Sequence, residues 1–555
     1  MTSSNLLYFI LLSPLFFLIV AMLSRYQVGL RPRLVIKAAN LATIFGIIAA
    51  VFGSVLMLNY GSLQTTDADK FLQVANIRLD AVSLIMFGMI ALLSFVIIRY
   101  SKNYLDGDKR QGVFLGRLSA TIASVQLLVL AGNLAMLFVA WVFTSICLSS
   151  LLTFYADRPV ALIAAKKKFI MARLADASLL VACILLFMEF DTINLEAIFV
   201  GIGELTPAFL TNGNLGLVAT FLVMAAMLKS AQFPTHAWLI EVMETPTPVS
   251  AMLHAGLLNA GPFLIIRMAY VMEATHAASS LLILVGGFTA IFGSVVFMTQ
   301  SSVKTALSYS SIAHMGFSLM VCGMGAYGAA MLHLVAHSFY KSHAFLSSGS
   351  VIDALKSSKG FKLNPKKNIL SVILSIVLAS GIYAGFAYIK DIDLVNEIPL
   401  LAIGLVILLG MTRIFSLAFN GSNLLSFTSK AALFGLLVVT SFFVLESAMA
   451  VLLTDAVPEL AALATSQYVM IGGLTTAFAI IVFIQVCDPF ISSRPAFKVL
   501  SIHLKNGLYI NALFDRMIGA FYVRPESIDY NEAINSKITY PELTKATQEE
   551  ATLNH

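Results

Sequence analysis

Runs of about 20 nearly unbroken apolar residues recur along this chain. They lie near residues 5–24, 38–59, 79–99, 115–131, 133–154, 173–190, 214–233, 248–273, 279–298, 304–323, 326–350, 368–390, 398–417, 430–453 and 467–488. Coiled at 1.5 Å per residue, such a run spans the roughly 30 Å hydrocarbon core of a bilayer. The pattern predicts an all-α polytopic membrane protein with about fifteen transmembrane helices. Composition agrees, since 59% of the 555 residues are hydrophobic and only 12% are charged, about half the charged share of a soluble domain. The first run, Leu6 to Leu23, has no small-residue cleavage site behind it and reads as a retained span. Cys147, Cys183, Cys322 and Cys487 sit singly, without C-x-x-C spacing, which argues against a disulfide framework or structural zinc.

The net charge of +6 follows the connections between runs. Lys and Arg crowd alternate ones: Arg25, Arg31, Arg33 and Lys37, then Arg99, Lys102, Lys109, Arg110 and Arg117, then Arg158, Lys166, Lys167, Lys168 and Arg173, and later Lys356 to Lys367. The intervening connections lean acidic, with Glu189, Asp191, Glu196 and Glu204, or Asp455 and Glu459. By the positive-inside rule the N-terminus lies outside and the C-terminus in the cytoplasm, which requires an odd number of spans. The basic excess is then a loop bias facing membrane lipid, and no nucleic-acid partner is expected. The polar tail from Ser492 carries no nucleotide-binding motif, and its first part, "HLKNGLYINALFDRM", is expected at the membrane surface.

Against this background, "LKSAQFPTHAWLIEVMETPTPVSAMLHAG" (Leu228–Gly256) is expensive. Lys229 lies deep in an apolar helix, where a lysine costs about 2.5–3.5 kcal/mol on insertion scales. Pro234, Pro246 and Pro248 interrupt the backbone ladder nearby. Interrupted helices in transporters line cavities or pack against protein, so Lys229 is expected to face the interior; the competing reading is a lysine snorkelling to the cytoplasmic face. Glu241 and Glu244 of the same stretch are candidate supporting groups.

In "HLVAHSFYKSHAFLSSGS", His333, His337 and Lys341 are four residues apart and form one helical stripe about 12 Å long. Such a row of titratable groups can pass protons along with intervening water. His343 falls on the opposite side. His254 and His314 each stand alone in a helix; a path position, which we assign to His254, competes there with a hydrogen-bonded packing role. No ligand spacing demands a metal, and H-E-x-x-H is absent. In "SGIYAGFAYIKDIDL", glycines precede Lys390 and Asp391 near the end of a span, repeating the pattern of helix, interruption and lysine around Lys229; the alternative is a surface pair at the outer helix end. Arg173 and Asp176 in "MARLADASLL" share a helical face and can neutralise each other, as a clamp or as path residues.

The stretches "LKSAQFPTHAWLIEVMETPTPVSAMLHAG", "VKTALSYSSIAHMGFSLM", "HLVAHSFYKSHAFLSSGS" and "GFAYIKDIDL" resemble, in order, the signatures of the proton-conducting, antiporter-like membrane subunits of respiratory complex I and multisubunit cation/proton antiporters. The likeness covers about residues 1 to 430. It implies two inverted five-helix repeats, interrupted helices at the seventh and twelfth spans, and a mid-membrane chain in which Lys229, then His333, His337 and Lys341, then Lys390 take part.

One departure narrows the resemblance. Complex I subunits carry a glutamate directly after the tryptophan of the fifth helix, whereas here Val142 follows Trp141. With "YADRPVALIAAKKKFIMARLAD", "METPTPVSAMLHAGLLNAGPF" and no long lateral helix, the chain is similar to the DabB-type subunits of the DAB inorganic-carbon transport complex. That likeness implies a bacterial inner-membrane transporter subunit, itself no enzyme and free of cofactors. Its DabA-type partner would carry zinc and hydrate CO2 vectorially, driven by H+ or Na+ flow through this chain, so that bicarbonate accumulates. The alternative function is a proton-pumping subunit of complex I or a cation/proton antiporter. The expected division is N-terminal spans in 1–112, an antiporter-like core in 113–430, C-terminal spans in 431–490 and a cytoplasmic tail in 491–555.

Overall fold

The computed structural model describes residues 6–65, 76–155, 159–205, 214–242, 245–350, 369–389, 397–419, 424–460, 463–486 and 495–519. Helices stand at the positions of all fifteen apolar runs. The first six are α1 (Tyr8–Leu23), α2 (Arg33–Tyr60), α3 (Ala81–Tyr104), α4 (Gln111–Val129), α5 (Leu134–Leu152) and α6 (Pro159–Phe190). Next come α7 (Leu215–Lys229), α8 (Thr247–Arg267), α9 (His276–Phe297), α10 (Val303–Gly323) and α11 (Tyr327–Leu346). The last four are α12 (Ile369–Ile389), α13 (Ile398–Phe419), α14 (Leu424–Leu453) and α15 (Thr465–Val486). Among the described residues, nine helices are long and apolar enough to cross a membrane by length and composition. The protein is therefore an all-α polytopic membrane protein. The described strand pairing is a two-stranded antiparallel ribbon, Leu63–Gln64 against Arg78–Leu79, ahead of α3.

Helix starts follow from caps written in the sequence. The Asp80 carboxylate accepts from the Ser83 N–H at the head of α3, and the Asn133 side chain accepts from Met136 N–H at the head of α5. Burial then separates inner from outer helices. The apolar stretch of α8 is 100% buried and that of α4 78%, whereas those of α14 and α15 are 17% and 11% buried, and α8 packs against α3, α7, α10 and α11. Its position is pinned by a buried ion cluster: the Arg267 guanidinium donates to Asp80 and to Ser83 Oγ, Arg78 Nε meets Asp80 at 2.8 Å, and Arg78 also pairs with Glu196. Midway, α8 widens into a π-turn over Leu253–Leu257, closed by Leu258 N–H donating to Leu253 C=O at 3.0 Å. Such turns carry an extra residue and re-aim the side chains around it.

One sequence expectation is corrected. Lys167, Lys168 and Arg173 were assigned to a basic connection, but α6 begins at residue 159 and contains them, with Lys167 and Lys168 buried. At 32 residues this helix is about 48 Å long, well beyond the bilayer core. A cluster of lysines reads as loop only while nothing in the sequence shows partners for them, and here partners exist. Two compact units are present, Met1–Leu508 and a second from Tyr509. The first ends with an amphipathic helix, α16 (Pro495–Lys505), whose Lys505 C=O accepts from Gln300 Nε2; the described part of the second is α17 (Ile510–Gly519).

Candidate functional site

The chain breaks after Lys229, the last residue of α7. Ala231 takes a left-handed conformation (φ 52°) and the Phe233–Pro234 peptide is cis. Two groups at the break find partners inside the protein: Phe233 N–H donates to Thr289 Oγ1 at 3.1 Å, and Ser230 Oγ donates to Leu258 C=O at 2.9 Å. This is how irregular backbone survives at membrane depth. The Lys229 ammonium donates to Trp141 C=O at 3.0 Å and Ser145 Oγ at 2.6 Å, and sits 4.2 Å from the centre of the Trp141 ring. The head group therefore points at α5 and into protein, which disposes of snorkelling.

Three further charged groups converge there from α6. Lys168 Nζ donates to Ser145 C=O at 2.9 Å, so one serine holds a lysine at its hydroxyl and another at its carbonyl. Asp176 pairs with Arg173 at 2.7 Å. Asp176 also lies beside the Trp141 indole and is an electrostatic neighbour of Lys229, Arg173 and Lys168. Where the family resemblance puts a glutamate on α5, this chain thus presents a carboxylate from α6. A void of about 10 Å³ lined by Ser145, Lys168, Lys229, Leu253 and Leu257 separates this cluster from the π-turn of α8, close to the space one water needs.

His254 lies in that π-turn, fully buried and stacked on Phe345 of α11 at 4.3 Å between ring centres. Lys341 is an electrostatic neighbour of His254; it is itself fully buried and donates to Leu307 C=O at 3.0 Å. His337 and His333 continue along α11, with ring centres 5.9 Å apart. His314 of α10 joins them: its ring centre is 4.7 Å from His337 and 5.2 Å from His333, and its Nδ1 is 3.3 Å from His333 Nε2. His314 and His333 line a cavity of about 660 Å³ between α9, α10, α11, α13 and α14. His343 is exposed on the other side of α11.

The remaining sequence candidates divide in two. Glu241 pairs with Lys167 at 2.6 Å, a contact between the segment after the break and α6. Lys390, Asp391 and Glu244 lie outside the described residues. Sequence reasoning missed Lys168 and Ser145, and the meeting of His314 with the α11 stripe; none carries a periodic signal, because each contact crosses between helices.

Residues 131–386 match the family described as NADH:quinone oxidoreductase/Mrp antiporter, TM, and residues 69–115 match the N-terminus of chain 5 of NADH-ubiquinone oxidoreductase (complex I). Among solved structures, the Mrp complex from Dietzia sp. DQ12-45-1b aligns over 92% of this chain and 59% of that one, at a TM-score of 0.57 and 22% identity, which supports the fold. These matches define an antiporter-like membrane subunit. The probable inorganic carbon transporter subunit DabB2 of Halothiobacillus neapolitanus is 35% identical over 85% of this chain and 84% of its own length, and the chain belongs to the DabB-type subunits within that family. The probable subunit DabB of Hydrogenovibrio crunogenus is 39% identical over 50% of this chain and 53% of its own. NADH-quinone oxidoreductase subunit L of Campylobacter jejuni is 34% identical over 57% and 54%.

Proposed function

We propose that this chain is the ion-conducting subunit of an energy-coupled inorganic-carbon pump in the bacterial inner membrane, with its N-terminus outside and C-terminus cytoplasmic. The observation that carries the reading is the buried polar row itself. Lys229, Lys168 and Asp176 cluster on Trp141 and Ser145. Beyond a one-water void lie His254, Lys341, His337, His314 and His333. Titratable groups at this depth are costly and have their usual explanation in ion or proton pathways. In this reading Asp176 takes the place of the missing helix-five glutamate, pairing alternately with Arg173 and with Lys229. The Ser145 hydroxyl accepts from Lys229 and its carbonyl from Lys168, which holds the two amines against one residue.

The coupling ion is H+, and its flow through this chain drives the hydration of CO2 to bicarbonate and a released proton in a DabA-type partner subunit that holds zinc; this chain performs no covalent chemistry and requires no cofactor for it. A second reading, a proton-pumping complex I subunit, draws on the likeness to subunit L. It is weakened by Val142, which stands where that subunit's ion-pair glutamate is expected. Carbon uptake by cells expressing this chain alone, the partner alone or both tests the proposal. Accumulation only with both supports it. Co-purification of this chain with quinone-reductase subunits, and no uptake, would replace it by the second reading.

A further inference from the structure

The meeting of His314, His333 and His337 has a chemistry besides proton transfer. Each offers a ring nitrogen, and the three ligand atoms lie within 4.8 Å of one another. A tetrahedral ion bound at about 2.0–2.1 Å by imidazole holds its ligand nitrogens about 3.3–3.4 Å apart. His314 Nδ1 and His333 Nε2, 3.3 Å apart, already form one such edge. His337 has both ring nitrogens buried with no hydrogen-bond partner, and a side-chain shift of about 1.4 Å closes the other two edges. His337 is 4% exposed, so the position is walled off from bulk water on its side. His314 and His333 border the 660 Å³ cavity, which leaves a fourth coordination position toward that space.

We propose that His314, His333 and His337 form a three-histidine site for a divalent transition ion of the zinc class, with its fourth position open to the cavity. Imidazole nitrogens suit Zn2+, Co2+, Ni2+ and Cu2+ and not Mg2+ or Ca2+, which take oxygen ligands. One group opposes the ion: Lys341 is an electrostatic neighbour of His314 and His337. Its ammonium and a dication repel, so the site is tuned to be weak while Lys341 is charged. A bound ion occupies the lone pairs that would accept a proton. It therefore closes the α11 row to proton transfer, a consequence that rests on the transport reading, whereas binding itself does not.

The test uses the full chain, purified through a histidine-free tag, and titrates it with Co2+ followed by its visible spectrum, then with Zn2+ in competition. The wild type is expected to give one tetrahedral Co2+ spectrum that Zn2+ abolishes. His337→Gln and His333→Gln should each lose that spectrum, and His343→Gln should keep it. Lys341→Met should tighten binding about tenfold or more by removing the opposing charge. This gain of affinity cannot arise from misfolding. A spectrum unaltered by the triad substitutions, or weaker binding in Lys341→Met at an unchanged elution profile, overturns the site. Zn2+ that fills the site in the Co2+ competition but leaves wild-type transport unchanged would leave the binding result standing and remove the blockade.

Discussion

Replacing Lys229 by methionine should abolish energised carbon accumulation while leaving the protein folded, and the structure gives both halves. Methionine keeps most of the stem's volume and removes the ammonium. What is lost is two charge-assisted hydrogen bonds, about 1.5–3 kcal/mol each, to Trp141 C=O and Ser145 Oγ, and the contact with the Trp141 ring, about 2 kcal/mol in a dry site. What is relieved is the desolvation of a buried ammonium, which costs several kcal/mol. The partners left behind are provided for: Trp141 C=O still accepts from Thr144 Oγ1, and Asp176 still pairs with Arg173. The two sides nearly cancel, so the net stability change should fall within about 2 kcal/mol. Thermal unfolding followed by chromatography, and carbon uptake at matched expression, read the two quantities separately. A variant that vanishes from the membrane or loses more than about 4 kcal/mol marks Lys229 as a structural residue. One that folds and accumulates carbon normally removes it from the path.

Asp176→Asn should lower the initial rate of energised uptake about tenfold or more, while Asp176→Glu keeps most of it, because the role requires a negative charge and not a shape; equal losses in the two would refute the stand-in assignment. His337→Gln keeps hydrogen bonding but removes protonation near neutral pH, so uptake should fall sharply, whereas His343→Gln on the exposed side of α11 should change little. Equal losses at both positions would sink the row. Asp80→Ala strips Arg267 and Arg78 of their shared buried carboxylate and should cost about 3–5 kcal/mol, seen as a lower unfolding temperature; an unchanged temperature would show that the cluster does not pin α8.

Hydrophobic run length made the spans legible, since nothing else in a chain explains fifteen such stretches at bilayer length. Helical period also placed His333, His337 and Lys341 on one face, because neighbours four apart need only the helix itself. What period cannot report is contact between helices. The approach of Asp176 to Lys229 crosses from α6 to α7, and His314 reaches the α11 stripe from α10. Lysines 166 to 168 look like a cytoplasmic loop by charge, and only the Ser145 carbonyl and the Glu241 carboxylate, both distant in sequence, reveal that Lys168 and Lys167 are buried. The break at Phe233–Pro234 was announced by proline, yet the hydroxyl of Thr289 that receives the freed N–H was not.

The central claim is that ion flow through the buried row drives carbon accumulation. The most direct measurement is labelled inorganic-carbon uptake in cells carrying this chain and the partner subunit proposed for it, with a protonophore, with a sodium ionophore, and with Lys229→Met. The account predicts that the protonophore and Lys229→Met each reduce accumulation to the level of cells lacking this chain, while the sodium ionophore leaves it intact. Collapse with the sodium ionophore alone would change the ion. Accumulation that survives both ionophores, or persists in Lys229→Met, would contradict the claim.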